Sequence, residues 1–182
     1  MAGLAVLLPL AMGVPWYLER EAMLESGAMP PEPVPVSGST TELAGTEWDF
    51  RGTVIGETEG APLADDLELV DAVYAVTPGD AAASGLLEQS CSFRAIDDRG
   101  RSWEPTSEFD LRDQLPADIG STGFGCTGAD AEPLPAGEET GLVVSFVVPD
   151  DAVDSLRFEV RAPTRNDIEA SRPAAVLFSQ QD

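Results

Sequence analysis

Histidine is absent from all 182 residues, and its absence removes most of what side chains could do here as catalysts. Without an imidazole, Ser-His-Asp and Cys-His nucleophile arrangements lack their general base. The two cysteines, Cys91 and Cys126, lie 35 positions apart with no Cys-x-x-Cys spacing, which leaves nothing from which to build a structural zinc site. Carboxylate chemistry remains, with 33 acidic residues against 10 basic ones. Two facing acids suffice to hydrolyse a glycoside. Among so many acids, however, chance pairs are certain, and no pair is marked by an apolar surround. The segment GSTGFGC, residues 120–126, has neither the Gly-Lys-Ser ending nor the strand-to-helix context of a phosphate loop. The chain is therefore read as a non-enzyme without a cofactor. For Ca²⁺, the best oxygen ligands are Asp65-Asp66 and the cluster Asp150, Asp151 and Asp154. Neither has EF-hand spacing, and both are read first as solvated turns.

The net charge of -23 repels phosphate backbones and anionic headgroups, and no basic stripe reverses the field locally. Nucleic acid is thereby excluded as a partner. A cationic partner or Ca²⁺ would be attracted, although a merely soluble surface accounts for the same charge. Every basic residue is arginine, a composition typical of high-GC bacterial coding. In an oxidising compartment Cys91 and Cys126 can pair, which would stabilise the fold by roughly 3–4 kcal/mol in the chain-entropy model. Two separate buried thiols are the alternative.

The elements that must carry these residues are strands. From Thr140 to Pro163 two alternating apolar runs meet across an acidic connection. Leu142, Val144, Phe146 and Val148 share one face of the first run; Leu156, Phe158 and Val160 share one face of the second, opposite Arg157, Glu159 and Arg161. This pattern predicts a β-hairpin. Trp48, Phe50 and Val54 share a parity in a strand from Thr46, with Gly52 as a bulge. Leu67 to Val76 is apolar on both parities and predicts a central strand, within which the Tyr74 hydroxyl needs a partner. Thr77-Pro78-Gly79-Asp80 stops that strand, and Ala81 to Gln89 forms a helical turn or loop. Cys91 to Asp97 and Arg101 to Glu104 form a second hairpin about Asp97-Asp98-Arg99-Gly100, anchored by Trp103. Pro105 to Gly128 is loop-rich, anchored by Phe109, Leu111, Leu115, Ile119 and Phe124. Ala174 to Ser179 is a terminal strand. Several short strands with turns between them predict an all-β, antiparallel β-sandwich, with a lipocalin-like barrel as the second architecture.

Ahead of the sandwich, Ala2 to Leu18 is an uncharged run of about 17 residues, which as a helix reaches about 25 Å, the short end of a bilayer span. Trp16 and Tyr17 fit an interfacial belt, and Glu19, Arg20 and Glu21 follow at once. The run reads as an uncleaved transmembrane signal anchor with the remainder outside. A cleaved export signal, with Ser26-Gly27-Ala28 at the cleavage site, and a buried element of a soluble protein are the alternatives; Pro9 and Pro15 are awkward inside a helix. The usual positive charge before the apolar run is missing, as it would be if the start codon lay upstream. Residues 19–45 then read as a helical continuation followed by a spacer at Met29 to Val36, in which Pro30, Pro31, Pro33 and Pro35 favour an extended, semi-rigid chain. On this division residues 1–18 are the anchor and residues 46–182 the sandwich.

Four motifs come in a telling order: Asp97, Gly100, Trp103 and Pro105 in a hairpin; Leu134, Pro135 and Gly137; a strand end from Phe146 to Pro149; and Leu-x-Phe-x-Val from Leu156 to Val160. This order, covering Trp48 to Pro163, resembles the immunoglobulin-like extracytoplasmic domains of unknown function in Gram-positive bacterial lipoproteins and secreted antigens, particularly membrane-tethered relatives from high-GC species. The resemblance implies an immunoglobulin-like sandwich exposed outside the cytoplasm, and it brings no catalytic residues. The lipid-accepting cysteine of such lipoproteins is missing, so tethering falls to Ala2 to Leu18 and the lipid bilayer. The expectation is a single-pass, membrane-anchored, extracytoplasmic interaction domain whose partner is another protein of the cell envelope. An exported small-ligand or Ca²⁺-binding module is the alternative.

Overall fold

The computed structural model describes residues 15–23, 31–56, 63–106, 119–122, 125–128, 131–163 and 173–180. A helix α1 occupies residues 15–23. The strands that follow are β1 (Val34–Pro35), β2 (Thr40–Leu43), β3 (Thr46–Gly56) and β4 (Leu67–Pro78); then, after the helix α2 (Ala81–Gln89), β5 (Ser92–Ile96), β6 (Ser102–Trp103), β7 (Ile119–Thr122), β8 (Thr140–Pro149), β9 (Arg157–Pro163) and β10 (Pro173–Ser179). They form two five-stranded sheets, in the orders β2-β3-β4-β8-β7 and β1-β10-β9-β5-β6. Two edge pairings, β1 with β10 and β7 with β8, are parallel, and the others are antiparallel. The two sheets pack face to face as a β-sandwich.

Period-2 alternation sets the core. Leu142, Val144, Phe146, Leu156, Phe158 and Val160, the residues predicted to face inward, are all exposed by 1% or less. Aromatic rings join the sheets: Phe50 lies 5.4 Å from Phe158 and 5.7 Å from Phe178, and Phe146 lies 5.8 Å from Phe158. β4 is central, between β3 and β8, and its second parity is buried as well, at Leu69, Asp71 and Ala75. That is the burial its doubly apolar sequence predicted. Among the described residues the partner expected for Tyr74 is not there. Its hydroxyl is buried without a hydrogen bond, as is the Trp48 indole nitrogen, and burial pushes the phenol ionisation well upward. α2 begins where the Asp80 carboxylate accepts from the Ala83 amide at 2.8 Å, and it buries Ala83, Leu86 and Leu87 against the sandwich.

The structure corrects three expectations. Thr140 to Pro163 is not a hairpin: β8 pairs with β4 in one sheet, while β9 pairs with β10 and β5 in the other. Their connection is a 3₁₀ segment, Asp150–Ser155, that crosses between the sheets and plugs the end of the core with Ala152. Facing sheets and paired strands produce the same inward alternation, and the connection lacks the glycine or asparagine of a tight hairpin. The second correction concerns β3. Gly52 does mark a bulge, with φ at +110° and a register shift after Phe50. The extra residue reverses the parity beyond it, so Val54 stands opposite Asp71 and is 46% exposed instead of sharing the face of Trp48.

The third correction is the domain boundary. The sheets begin at Val34, inside the stretch read as a spacer over residues 19–45, and β2 also precedes Thr46. A proline-rich segment can serve as an edge strand because its missing N–H groups face away from the sheet. The membrane-anchor reading of residues 1–18 falls mainly on residues outside those described, as do Ser26-Gly27-Ala28 and the anchors Phe109, Leu111, Leu115 and Phe124. Among the described residues no helix is long and apolar enough to cross a membrane.

Candidate functional site

At one end of the sandwich the β5–β6 turn meets the 3₁₀ crossover. The Asp97 carboxylate is fully buried and accepts from the Arg99 amide at 3.0 Å, the Arg101 amide at 2.7 Å and Arg101 Nε at 2.6 Å. The same guanidinium donates through Nη2 to Asp151 at 2.8 Å, and Arg99 Nη1 donates to the other Asp151 oxygen at 2.5 Å. Arg157 Nη2 adds a bond to the Asp97 carbonyl at 3.3 Å. Burial works to raise the Asp97 carboxyl, but the Arg101 side chain and the two turn amides outweigh it and hold the group below the ordinary carboxylate range. Hydrogen bonds from Arg101 and then Arg99 hold Asp151 low as well. Both acids are kept ionised, the reverse of what a general acid needs.

Of the acidic cluster read as a cation site, Asp151 is thus committed to two arginines, while Asp150 and Asp154 are exposed on the same 3₁₀ segment. Asp65 and Asp66 are exposed in the turn before β4. Among the described residues no group of three or more acidic or cysteine side chains is placed to hold a metal ion. Two further acids are buried: Asp71 on β4, 1% exposed, and Glu159 on β9, 2% exposed, the latter held by Arg94 Nη2 at 3.1 Å and by Arg161 Nε. The sequence marks Asp97 only as a turn and motif residue and sets Glu159 on the face away from the core, whereas both are buried. The available signal was the close spacing of arginines around each acid, Asp97 with Arg99 and Arg101, and Glu159 with Arg157 and Arg161.

Cys91 and Cys126 form a disulfide with Cα atoms 5.7 Å apart, tying the start of β5 to the segment that bridges Thr127 to Pro133. A depression of about 550 Å³ lies at the β2–β3 turn and is lined by Thr40, Thr41, Glu42, Glu47 and Thr77 with Gly45 and Gly79. It is open and hydroxyl-rich, and Glu42 stands directly across from Glu47.

The chain is similar in fold to the yjhA protein of Bacillus subtilis. That structure matches with a TM-score of 0.51 at 14% identity, covering 83% of this chain and 100% of the other. An uncharacterized β-sandwich protein from Clostridium difficile matches at 0.45 and 9% identity over 84% and 97% of the two chains. A secreted protein from Mycobacterium tuberculosis matches at 0.42 and 13% identity over 81% and 98%. At such identities the likeness is one of fold alone. No family model matches this chain, and no curated protein matches it.

Proposed function

We propose that this chain is a non-catalytic interaction domain of the cell envelope, exposed outside the cytoplasm and held at the membrane by Ala2 to Leu18. The observation that carries the reading is the Cys91–Cys126 disulfide, because such bonds persist in oxidising compartments and are rare in the cytosol. Three features support it further. Trp16, Tyr17 and Leu18, at the end of the apolar run, are exposed by 64%, 52% and 59%, as suits residues that meet an interface rather than the core. Histidine is absent, and Asp97 and Glu159, two of the three buried acids among the described residues, are paired with arginine, so the chemistry of those two is structural. The acidic surface favours a cationic or mixed-charge protein partner over lipid headgroups or nucleic acid.

Trapping thiols by rapid alkylation in living cells tests the compartment. The reading expects Cys91 and Cys126 unmodified before reduction and both modified after it; two thiols alkylated at the outset would place the chain in a reducing compartment. Carbonate extraction tests the anchor, with the full chain expected in the pellet and release into the supernatant counting against membrane insertion.

A further inference from the structure

The edge of the β1-β10-β9-β5-β6 sheet is closed by a weakly held piece of chain. β10 pairs with β9 along all seven of its residues, whereas β1 pairs with β10 only at Val34 with Val176 and Pro35 with Leu177. One further main-chain bond, Val36 N–H to the Leu177 carbonyl at 2.9 Å, ends the ladder. Pro31, Pro33 and Pro35 have no N–H to give, and the Val34 side chain is 64% exposed. The side-chain tie is Arg161 Nη2 to the Pro31 carbonyl at 3.0 Å. The other terminal nitrogen of that guanidinium, Nη1, is buried without a hydrogen-bond partner among the described residues. Beneath the strap, β10 presents Val176, Leu177 and Phe178, all buried, in an apolar strand.

We propose that β1 is a displaceable cover and that the outer edge of β10 is the surface on which an extended segment of a partner protein adds a strand. The proposal rests on the reading of this chain as an interaction domain and names the surface and the mode of binding. An incoming strand that runs the length of β10 makes a longer ladder than the two-residue β1 can, and β-strand addition draws its affinity from that ladder. The partner segment alternates apolar residues, which take the place of Val36 against the core, with basic residues suited to a chain of net charge -23. In the absence of a partner, the prolines of the strap block further pairing and keep the edge from unselective association.

The test uses the intact chain and an eight-residue synthetic peptide of alternating valine and arginine, with a control peptide of equal charge in which the valines are prolines. By NMR hydrogen exchange, the Val36 amide is expected to exchange about a hundredfold faster than that of Val144 in β8, showing that the strap opens without global unfolding. The valine peptide should bind and perturb residues 174–179, the proline peptide should not, and Val36→Pro, which removes the last strap bond, should tighten binding about tenfold. Exchange of Val36 at the rate of the core, or equal binding of both peptides, overturns the proposal. If Val36→Pro fails to fold, the wild-type exchange and peptide comparison decide. None of these readouts depends on where the chain resides in the cell, so failure here is distinct from failure of the envelope assignment.

Discussion

Arg101 bridges two acids that are far apart in sequence: its Nε meets the buried Asp97 carboxylate at 2.6 Å and its Nη2 meets Asp151 at 2.8 Å. The β5–β6 turn is thereby clamped to the crossover that carries the chain from one sheet to the other. The ionisation of both acids is held below the ordinary carboxylate range, which fixes the sign of a pH effect. A group whose folded pKa is depressed contributes stability that is fully present above its unfolded value, about 3.9 for aspartate, and is lost as pH falls through the lower folded value. Thermal melts should therefore be flat with respect to these groups from neutrality to about pH 5 and fall steeply below pH 4. Asp97→Asn should lower the melting temperature at pH 7 and flatten the acid limb. An unchanged acid limb would remove the clamp from the account.

The bulge at Gly52 makes opposite predictions for two residues that sequence parity would treat alike. Phe50→Ala empties a site between Phe158, Phe178 and Tyr74 and should cost about 3–5 kcal/mol in denaturant unfolding. Val54→Ala, on the far side of the bulge and 46% exposed, should stay within about 0.5 kcal/mol. A large cost at Val54 would mean that the register runs straight through Gly52.

Replacing both cysteines by serine should lower unfolding free energy by about 2–4 kcal/mol while leaving the far-ultraviolet circular dichroism of the sheets in place. The sandwich core is built chiefly from Phe50, Tyr74, Phe146 and Phe158, with Cys126 a buried member of the same cluster and Cys91 packed against it. Loss of the β signal in the double variant would show that the bond is required to form the fold.

Millimolar Ca²⁺ should move the melting temperature by less than about 1 °C, because a ligand stabilises only by binding the native state and Asp151 is already held by Arg99 and Arg101. A larger shift, lost in Asp150→Asn, would restore the crossover as a cation site.

The core was legible in the sequence because burial follows alternation for Leu142, Val144, Phe146 and Val148 and for Leu156, Phe158 and Val160, although Val143 and Glu159, on the other parity, are buried as well. Which sheet each strand joins was not legible, since an inward face looks the same in a hairpin and in a sheet-crossing arch; only the 3₁₀ segment at Asp150–Ser155 distinguishes them. The docking of Val34 and Pro35 left no trace either, because a proline-rich edge strand has no periodicity. Asp97 read as an ordinary turn acid, which it is. Its full burial depends on Arg101, four residues on, and on a crossover 50 residues beyond Arg101. The sequence spacing that hinted at such a network, an acid flanked closely by arginines, recurs at Glu159, which lies between Arg157 and Arg161 in sequence and pairs with Arg161 and with Arg94 of β5.

The central claim, a sandwich held at the membrane and exposed outside the cytoplasm, is tested most directly by protease shaving of intact cells followed by detection of the Thr140 to Pro163 region. The account predicts that protease added outside removes this region from the cell-associated fraction while a cytoplasmic marker survives. Persistence of the region on intact cells, with degradation only after lysis, would contradict it.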